Sequence, residues 1–199
     1  MRAFDPSRIP GIPTTVATWS LEFEGKPVDL ELGAGAGLHA IRHAQKNPDR
    51  IIIAIERTSK ANRLQSRANN HPELKNLIAI RADAIHWMAL NVPPLAIETC
   101  FILYPNPYPK GRQKNLRWHN MPFMGFLKSR LKPAAKIITA TNEAFYADEA
   151  KDRMQSWGFR LIEDHPLDPT GPGRTHFEKK YLARGDLCRN LIFENITLL

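Results

Sequence analysis

Residues 28–40 read VDLELGAGAGLHA. The run VDLELG (28–33) has the character of a short strand, and it passes through glycines at 33, 35 and 37 into GLHAIRHAQKN (37–47), where Leu38, Ile41 and Ala44 fall on one helical face. Glycines at alternate positions let the backbone turn tightly and come close to a ligand, while the following helix offers its positive N-terminus. A strand, a glycine turn and a helix call for a second parallel strand, and RIIIAIE (50–56) is a β-branched run of the kind buried on both faces of a parallel sheet.

The same alternation continues outward. Residues 59–70 predict a helix, 76–83 a third strand and 84–90 a short helix. ETCFILY (98–104) predicts a fourth strand, 120–132 an amphipathic helix ending at Pro133, 136–141 a fifth strand, and 143–158 a helix closed by Gly158. Two more strand-like runs, 159–164 and 189–199, complete the chain. Five β–α alternations specify a mostly parallel, doubly wound sheet with helices on both faces, and a closing pair with no predicted helix between them specifies a terminal antiparallel hairpin. Residues 1–27 carry four prolines and a few apolar anchors (Phe4, Trp19, Leu21, Phe23), which predicts an arm packed on a single domain spanning 28–199.

Composition sets the bounds. A chain of 199 residues with 43% hydrophobic content is long enough for one well-buried domain. The net charge of +8 favours a polyanionic partner, because Lys and Arg release condensed counterions when they neutralise phosphates. Cys100 and Cys188 make no disulfide framework and have no partner at metal-ligand spacing, so no metal is expected. His39 and His43 form an i, i+4 pair without the intervening Glu of a zinc-protease motif, and packing is the expected role. The first residues lack an apolar signal core and no run approaches membrane-spanning length, so a cytoplasmic protein, monomeric or homodimeric, is expected.

Open α/β sheets bind ligands at the carboxyl ends of their strands. Strand one places Glu31 directly beneath the loop of Gly33 and Gly35, strand two ends in Glu56, and strand three ends in Asp83 with Ala84 opening the next helix. Glu56, nineteen residues after Gly37, is placed to accept both hydroxyls of an adenosine ribose. Asp83 is placed to accept from an adenine amine. Glu31 would repel a pyrophosphate but suits a cationic amino-acid cofactor, so together the three favour S-adenosylmethionine over NAD.

The segments LELGAGAG, AIE and RADA resemble the cofactor motifs of class I methyltransferases, which implies their Rossmann-like fold. More specifically, YPNPYPKGRQKN (104–115), then helix, LKP, strand and ATNEAFY, resembles the bacterial tRNA (guanine-N7-)-methyltransferase family, as does THFEKK (175–180) with Gly185 following. The resemblance covers roughly residues 26–195. It implies methyl transfer from S-adenosylmethionine to N7 of guanine in RNA, with tRNA favoured. Asn106 then stands at the junction of cofactor and substrate, and Lys110, Asn142, Thr175 and Glu178 serve the base or its flanking phosphate. The basic tail adds Arg112, Lys114 and Arg117 as RNA contacts, within an acid-free run that continues through Lys128, Arg130, Lys132 and Lys136. Tyr108 and Trp118 are available for stacking.

Two positions depart from the family pattern. Asn106 stands where the family carries an acidic residue in its proline turn, and Thr141-Asn142 stands where it has Thr-Asp. Asn106-Pro107-Tyr108 also resembles, one proline short, the Asn-Pro-Pro-Tyr motif of amino-methyltransferases, in which an exocyclic amine would be the target. A further alternative is an RNA-binding relative without transfer activity.

Overall fold

The computed structural model describes residues 3–11, 18–20, 23 and 25–196. Its sheet opens with β1 (Val28–Leu32), followed by α1 (Leu38–Lys46), β2 (Ile51–Glu56), α2 (Lys60–Asn69), β3 (Leu77–Arg81), α3 (Ala84–Asn91) and β4 (Ile97–Leu103). After two 3-10 turns, Gly111–Leu116 and Trp118–Asn120, come α4 (Phe123–Arg130), β5 (Leu131–Thr141), α5 (Ala144–Ser156), β6 (Phe159–Pro166), α6 (His176–Ala183) and β7 (Arg189–Asn195). The seven strands are ordered β3-β2-β1-β4-β5-β7-β6. Strands β1 to β5 pair in parallel, and β7 runs antiparallel to both β5 and β6.

The pairing of β6 with β7 agrees with the predicted hairpin, but α6 interrupts the connection, a helix the apolar pattern did not show. Its sequence signal was local: Thr175 caps the helix by accepting from the Glu178 N–H at 2.9 Å, the first half of a Thr-x-x-Glu capping box. The predicted helix over 120–132 is shorter, because Trp118–Asn120 forms a 3-10 turn and the helix proper opens only after Pro122. Strand β5 begins at Leu131 rather than 136. Leu131 pairs with Ile97, and the ladder shifts before Lys136 meets Thr99, an irregularity that accommodates Pro133 and the positive φ of Ala134.

All five residues of β1 are buried. Their side chains alternate, so Val28, Leu30 and Leu32 join the main core with Trp87, Met88 and Leu127, while Asp29 and Glu31 point to the opposite face. On that face α1 and α2 pack Ala40, Ala44 and Leu64 against Ile52 and Ala54. In the N-terminal arm, Phe4 packs edge-on against Phe123 at 5.5 Å between ring centres, and Trp19 against Phe23 at 5.3 Å. Leu21 and the last three residues of the predicted final strand lie outside the described residues.

The ends of β6 and β7 meet at the carboxyl edge of the sheet, where Pro166 pairs with Arg189 and Arg189 with Thr141. Residues 167–188 therefore cross that edge. They are tied to the other side by Arg42 of α1, which donates to the Gly173 carbonyl at 2.8 Å, and by Arg67 of α2, which donates to the Ala36 carbonyl at 3.0 Å and to His176 Nε2 at 2.6 Å.

Trp87 is fully buried between α3 and the sheet. Its replacement by Ala should cost about 3–5 kcal/mol of unfolding free energy. Urea unfolding measures this, and a loss below about 1 kcal/mol would show that α3 does not carry the core as described.

Candidate active site

Glycines 33, 35 and 37 adopt positive φ of 80°, 58° and 81°. A Cβ added at Gly33 or Gly35 would meet nothing within 4 Å, whereas one at Gly37 would lie 2.4 Å from Leu64 Cδ1. The first two thus line an open cradle above the strand ends, and the third lets α1 close onto α2. Glu56 holds this cradle in place. Its Oε2 accepts from the Gly35 N–H at 2.9 Å and its Oε1 from the Thr58 N–H at 2.8 Å. Burial works to raise its pKa, but the donors of Thr58 and Gly35 outweigh burial and leave it lowered.

Asp83 caps α3 through Oδ1, accepting from Ile85 N at 3.0 Å and His86 N at 3.2 Å. Its other oxygen lies 3.9 Å from the exposed Arg57 guanidinium. Glu31 is buried beneath the cradle and contacts His39 Nδ1 at 3.0 Å. Neighbouring Asp29 is equally engaged, with His43 Nε2 at 2.7 Å and a bidentate Arg50, and Arg50 also reaches Glu98. Burial works to raise the Asp29 pKa; hydrogen bonds from His43 and Arg50 more than offset it. The two histidines are thus partners of buried carboxylates, and among the described residues no cluster of His, Cys, Asp or Glu is suited to a metal.

Glu56 and Asp83 each accept backbone N–H bonds and retain further acceptor capacity as carboxylates. Glu31 shares its carboxylate with His39.

The proline turn lies beside this cradle. Tyr104 N–H donates to the Ala140 carbonyl at 2.8 Å, which seats the turn against the end of β5. Tyr104 and Tyr108 both adopt left-handed φ, 50° and 46°, a conformation that costs a non-glycine residue about 1–3 kcal/mol and must be held by its surroundings. Asn106 is exposed and its Oδ1 accepts from the Tyr108 N–H at 3.2 Å, so the oxygen that an amino-methyltransferase would turn toward an exocyclic amine is already engaged.

Arg117 does not face solvent. It is 7% exposed, donates twice to the Tyr108 carbonyl at 3.2 and 3.0 Å, and pairs with Glu149 of α5 at 2.5 Å. The expected RNA contact at Arg117 is therefore corrected: this guanidinium clamps the strained turn onto α5. Glu149 also takes Lys114 at 3.0 Å and His119 Nε2 at 3.0 Å. It was not picked out from sequence, although a long acid-free basic run with one buried arginine demands a distant counter-charge. Lys110 and Arg112 are exposed and, among the described residues, have no carboxylate partner. The continuation of the basic run also falls elsewhere. Lys132 pairs with Glu98 at 2.7 Å and Lys136 lies in register with Thr99 near the start of β4, so both sit away from the proline turn that follows β4.

Thr175 serves as the α6 cap, and Glu178 is 2% exposed with both oxygens on Arg174. Burial works to raise the Glu178 pKa, yet Arg174 leaves it lowered. Asn142, half-buried one residue past β5, donates from Nδ2 to Asp186 Oδ2 at 2.9 Å. The glycine loop, Glu56, Asp83, the proline turn and Asn142 therefore share the carboxyl edge, with Glu178 on the segment that crosses it.

Comparison with known proteins matches residues 25–187 to the family model described as "Putative methyltransferase". The tRNA (guanine-N(7)-)-methyltransferase of Roseobacter denitrificans is 31% identical over 175 residues, covering 86% of this chain and 75% of that protein. That of Hyphomonas neptunium is 30% identical over 168 residues, covering 83% and 76%. The chain is a divergent member of this methyltransferase family. Among solved structures, the 16S rRNA methyltransferase KamB superposes with a TM-score of 0.68 at 20% identity, over 92% of this chain and 96% of that one. A SAM-dependent methyltransferase from Aquifex aeolicus gives 0.60 at 15% identity, over 87% and 86%. The methyltransferase thus has the Rossmann-like fold of its class, and S-adenosylmethionine is its cofactor.

In this methyltransferase Glu149 is pushed down to about 2 from an ordinary 4.5: burial opposes ionisation, but hydrogen bonds from His119, Arg117 and Lys114 prevail. A lowered folded-state pKa contributes stability that is full above about pH 4.5 and is lost as pH falls toward about 2. Glu149→Gln should therefore be most destabilising near neutral pH, with the gap to wild type closing across that window. Thermal unfolding at a series of pH values tests this, and a gap independent of pH would rule out the ion-pair hub.

Proposed function

We propose that this methyltransferase transfers the methyl group of S-adenosylmethionine to N7 of guanine in tRNA, acting in the cytoplasm. The observation that carries this reading is the meeting of the cofactor carboxylates and the clamped proline turn at one sheet edge, in a chain whose relatives bear that activity.

Guanine N7 has an in-plane lone pair and no proton, so the reaction needs no base to expose the nucleophile. The protein must instead place that nitrogen and tolerate the positive charge that the purine acquires. When bound, the cofactor supplies an electrophilic methyl group on a sulfonium. Glu56 and Asp83 would hold its adenosine and Glu31 its cationic amino-acid end, over the backbone of Gly33 and Gly35 and beside Ala84 at the start of α3. Asn106 would stand between the two ligands, on a turn that Arg117 and Glu149 hold rigid. Lys110 and Arg112 meet the phosphate backbone, with Lys114 reaching it from its 58% exposed position beside Glu149. Asn142, Thr175 and Glu178 border the base: Thr175 and Glu178 through the cap of α6, and Asn142 through its side chain.

Transfer of labelled methyl to tRNA lacking N7-methylguanosine, with the labelled nucleoside identified after digestion, tests the assignment. Label in N7-methylguanosine is expected. Label in a methylated amine would replace it with amino-methyl transfer, cofactor binding without label would replace tRNA with another substrate, and no cofactor binding would replace the assignment with a non-catalytic role.

Glu56→Ala removes a charged acceptor and also frees the Gly35 N–H. It should weaken S-adenosylmethionine binding by roughly 1–3 kcal/mol in calorimetric titration. Unchanged affinity would remove Glu56 from the cofactor site.

A further inference from the structure

Building on guanine as the substrate base, we infer that Asp186 supplies the anionic acceptor for the donor edge of that base, in a pair with Asn142. Guanine presents N1–H and N2–H side by side, and a carboxylate is the matching acceptor. The side chains that project from the ends of β4 and β5 are amides, Asn106 and Asn142. Glu178 is saturated, since Arg174 brings it a backbone N–H at 2.7 Å and side-chain donors at 3.0, 3.1 and 2.7 Å. Negative charge returns to this edge from the turn after α6, where Asp186 Oδ2 meets the Asn142 amide at 2.9 Å.

The position of Asp186 is built in by the way α6 ends. Gly185, at φ 83°, donates to the Leu182 carbonyl at 2.9 Å, and Asp186 N–H donates to the Tyr181 carbonyl at 3.0 Å, the paired bonds of a Schellman motif. The backbone at Asp186 is therefore set before any ligand arrives. Its carboxylate accepts from Arg184 on both oxygens and from Asn142 on one, leaving one lone pair of about four. The competing Arg184 side chain is 57% exposed, so its ion pair is weak and can yield to a base. Arg184 first, then Asn142, against a desolvation that works the other way, keep the Asp186 pKa lowered, so the charge is present at neutral pH.

In this arrangement the amide and the acid have divided one task. Asn142 spends a donor on Asp186 and fixes the carboxylate beside β5, and Asp186 carries the charge that recognises guanine. Glu143, the residue after Asn142, is the rival carboxylate on this edge.

The test uses full-length protein with tRNA transcript lacking N7-methylguanosine, and the same tRNA assembled with inosine in place of the mapped target guanine. Inosine lacks the N2 amine. Asp186→Asn is isosteric and keeps an oxygen for the Asn142 amide, so folding, checked by thermal unfolding, should survive. Its KM for guanine tRNA should rise about tenfold with a smaller change on inosine tRNA, the size expected when a charge-assisted bond becomes neutral. Asn142→Asp combined with Asp186→Asn should recover most of that loss by moving the carboxylate across the pair. Unchanged KM in Asp186→Asn, equal losses on both tRNAs, or a loss in Glu143→Gln instead would overturn the assignment. Wild-type protein that forms no N7-methylguanosine is a separate result, visible before any variant, and would remove the guanine reading together with this one.

Discussion

A charge buried without a partner costs several kcal/mol, and β1 buries two carboxylates in the interior of the sheet. That constraint governs how the neighbouring elements dock. Asp29 and Glu31 lie two residues apart and so share a face, and His39 and His43 lie four apart and so share a face of α1. Each histidine meets one carboxylate, their rings stack at 5.4 Å, and Arg50 closes the network from the start of β2. With α1 held in this way, its N-terminus and the glycine loop before it are also held, and Glu56 can reach the Gly35 N–H. The open glycine loop is thus a consequence of satisfying two buried acids.

A second charged hub works on the other side of the edge. The proline turn contains two tyrosines in left-handed conformation, which an isolated peptide would not retain. Arg117 takes the Tyr108 carbonyl and Glu149 takes Arg117, so the strain is borne by α5, an element remote in sequence. Residues that looked like one continuous basic face therefore divide by function. Arg117 is structural, Lys110 and Arg112 are exposed with no carboxylate partner among the described residues, and Lys132 and Lys136 sit away from the proline turn.

Most of the fold was legible because its signals are local. Apolar periodicity, glycine turns and β-branched runs specified the five parallel strands and the five helices that accompany them, and the positions of Glu31, Glu56 and Asp83 followed from where each strand stops. The misses came where local signals conflict with tertiary ones. Pro133 suggested a break, yet the chain passes it as an irregularity within β5. Helix α6 is short and polar, so apolar periodicity could not show it, although its capping box was readable.

By itself the sequence determined the order of elements, the edge at which the glycine loop, Glu56 and Asp83 gather, and the kind of cofactor, because strand ends and glycine loops are set by short-range sterics. Only the tertiary structure decided which charges are buried and paired and which stay exposed. Arg117, Glu149, Glu178 and Asp186 all look alike in sequence, as exposed ions would. Their roles depend on partners and burial: Glu178 saturated by a neighbour four residues away, Arg117 buried against an acid 32 residues on, and Asp186 brought by the end of one helix to an amide at the end of a strand.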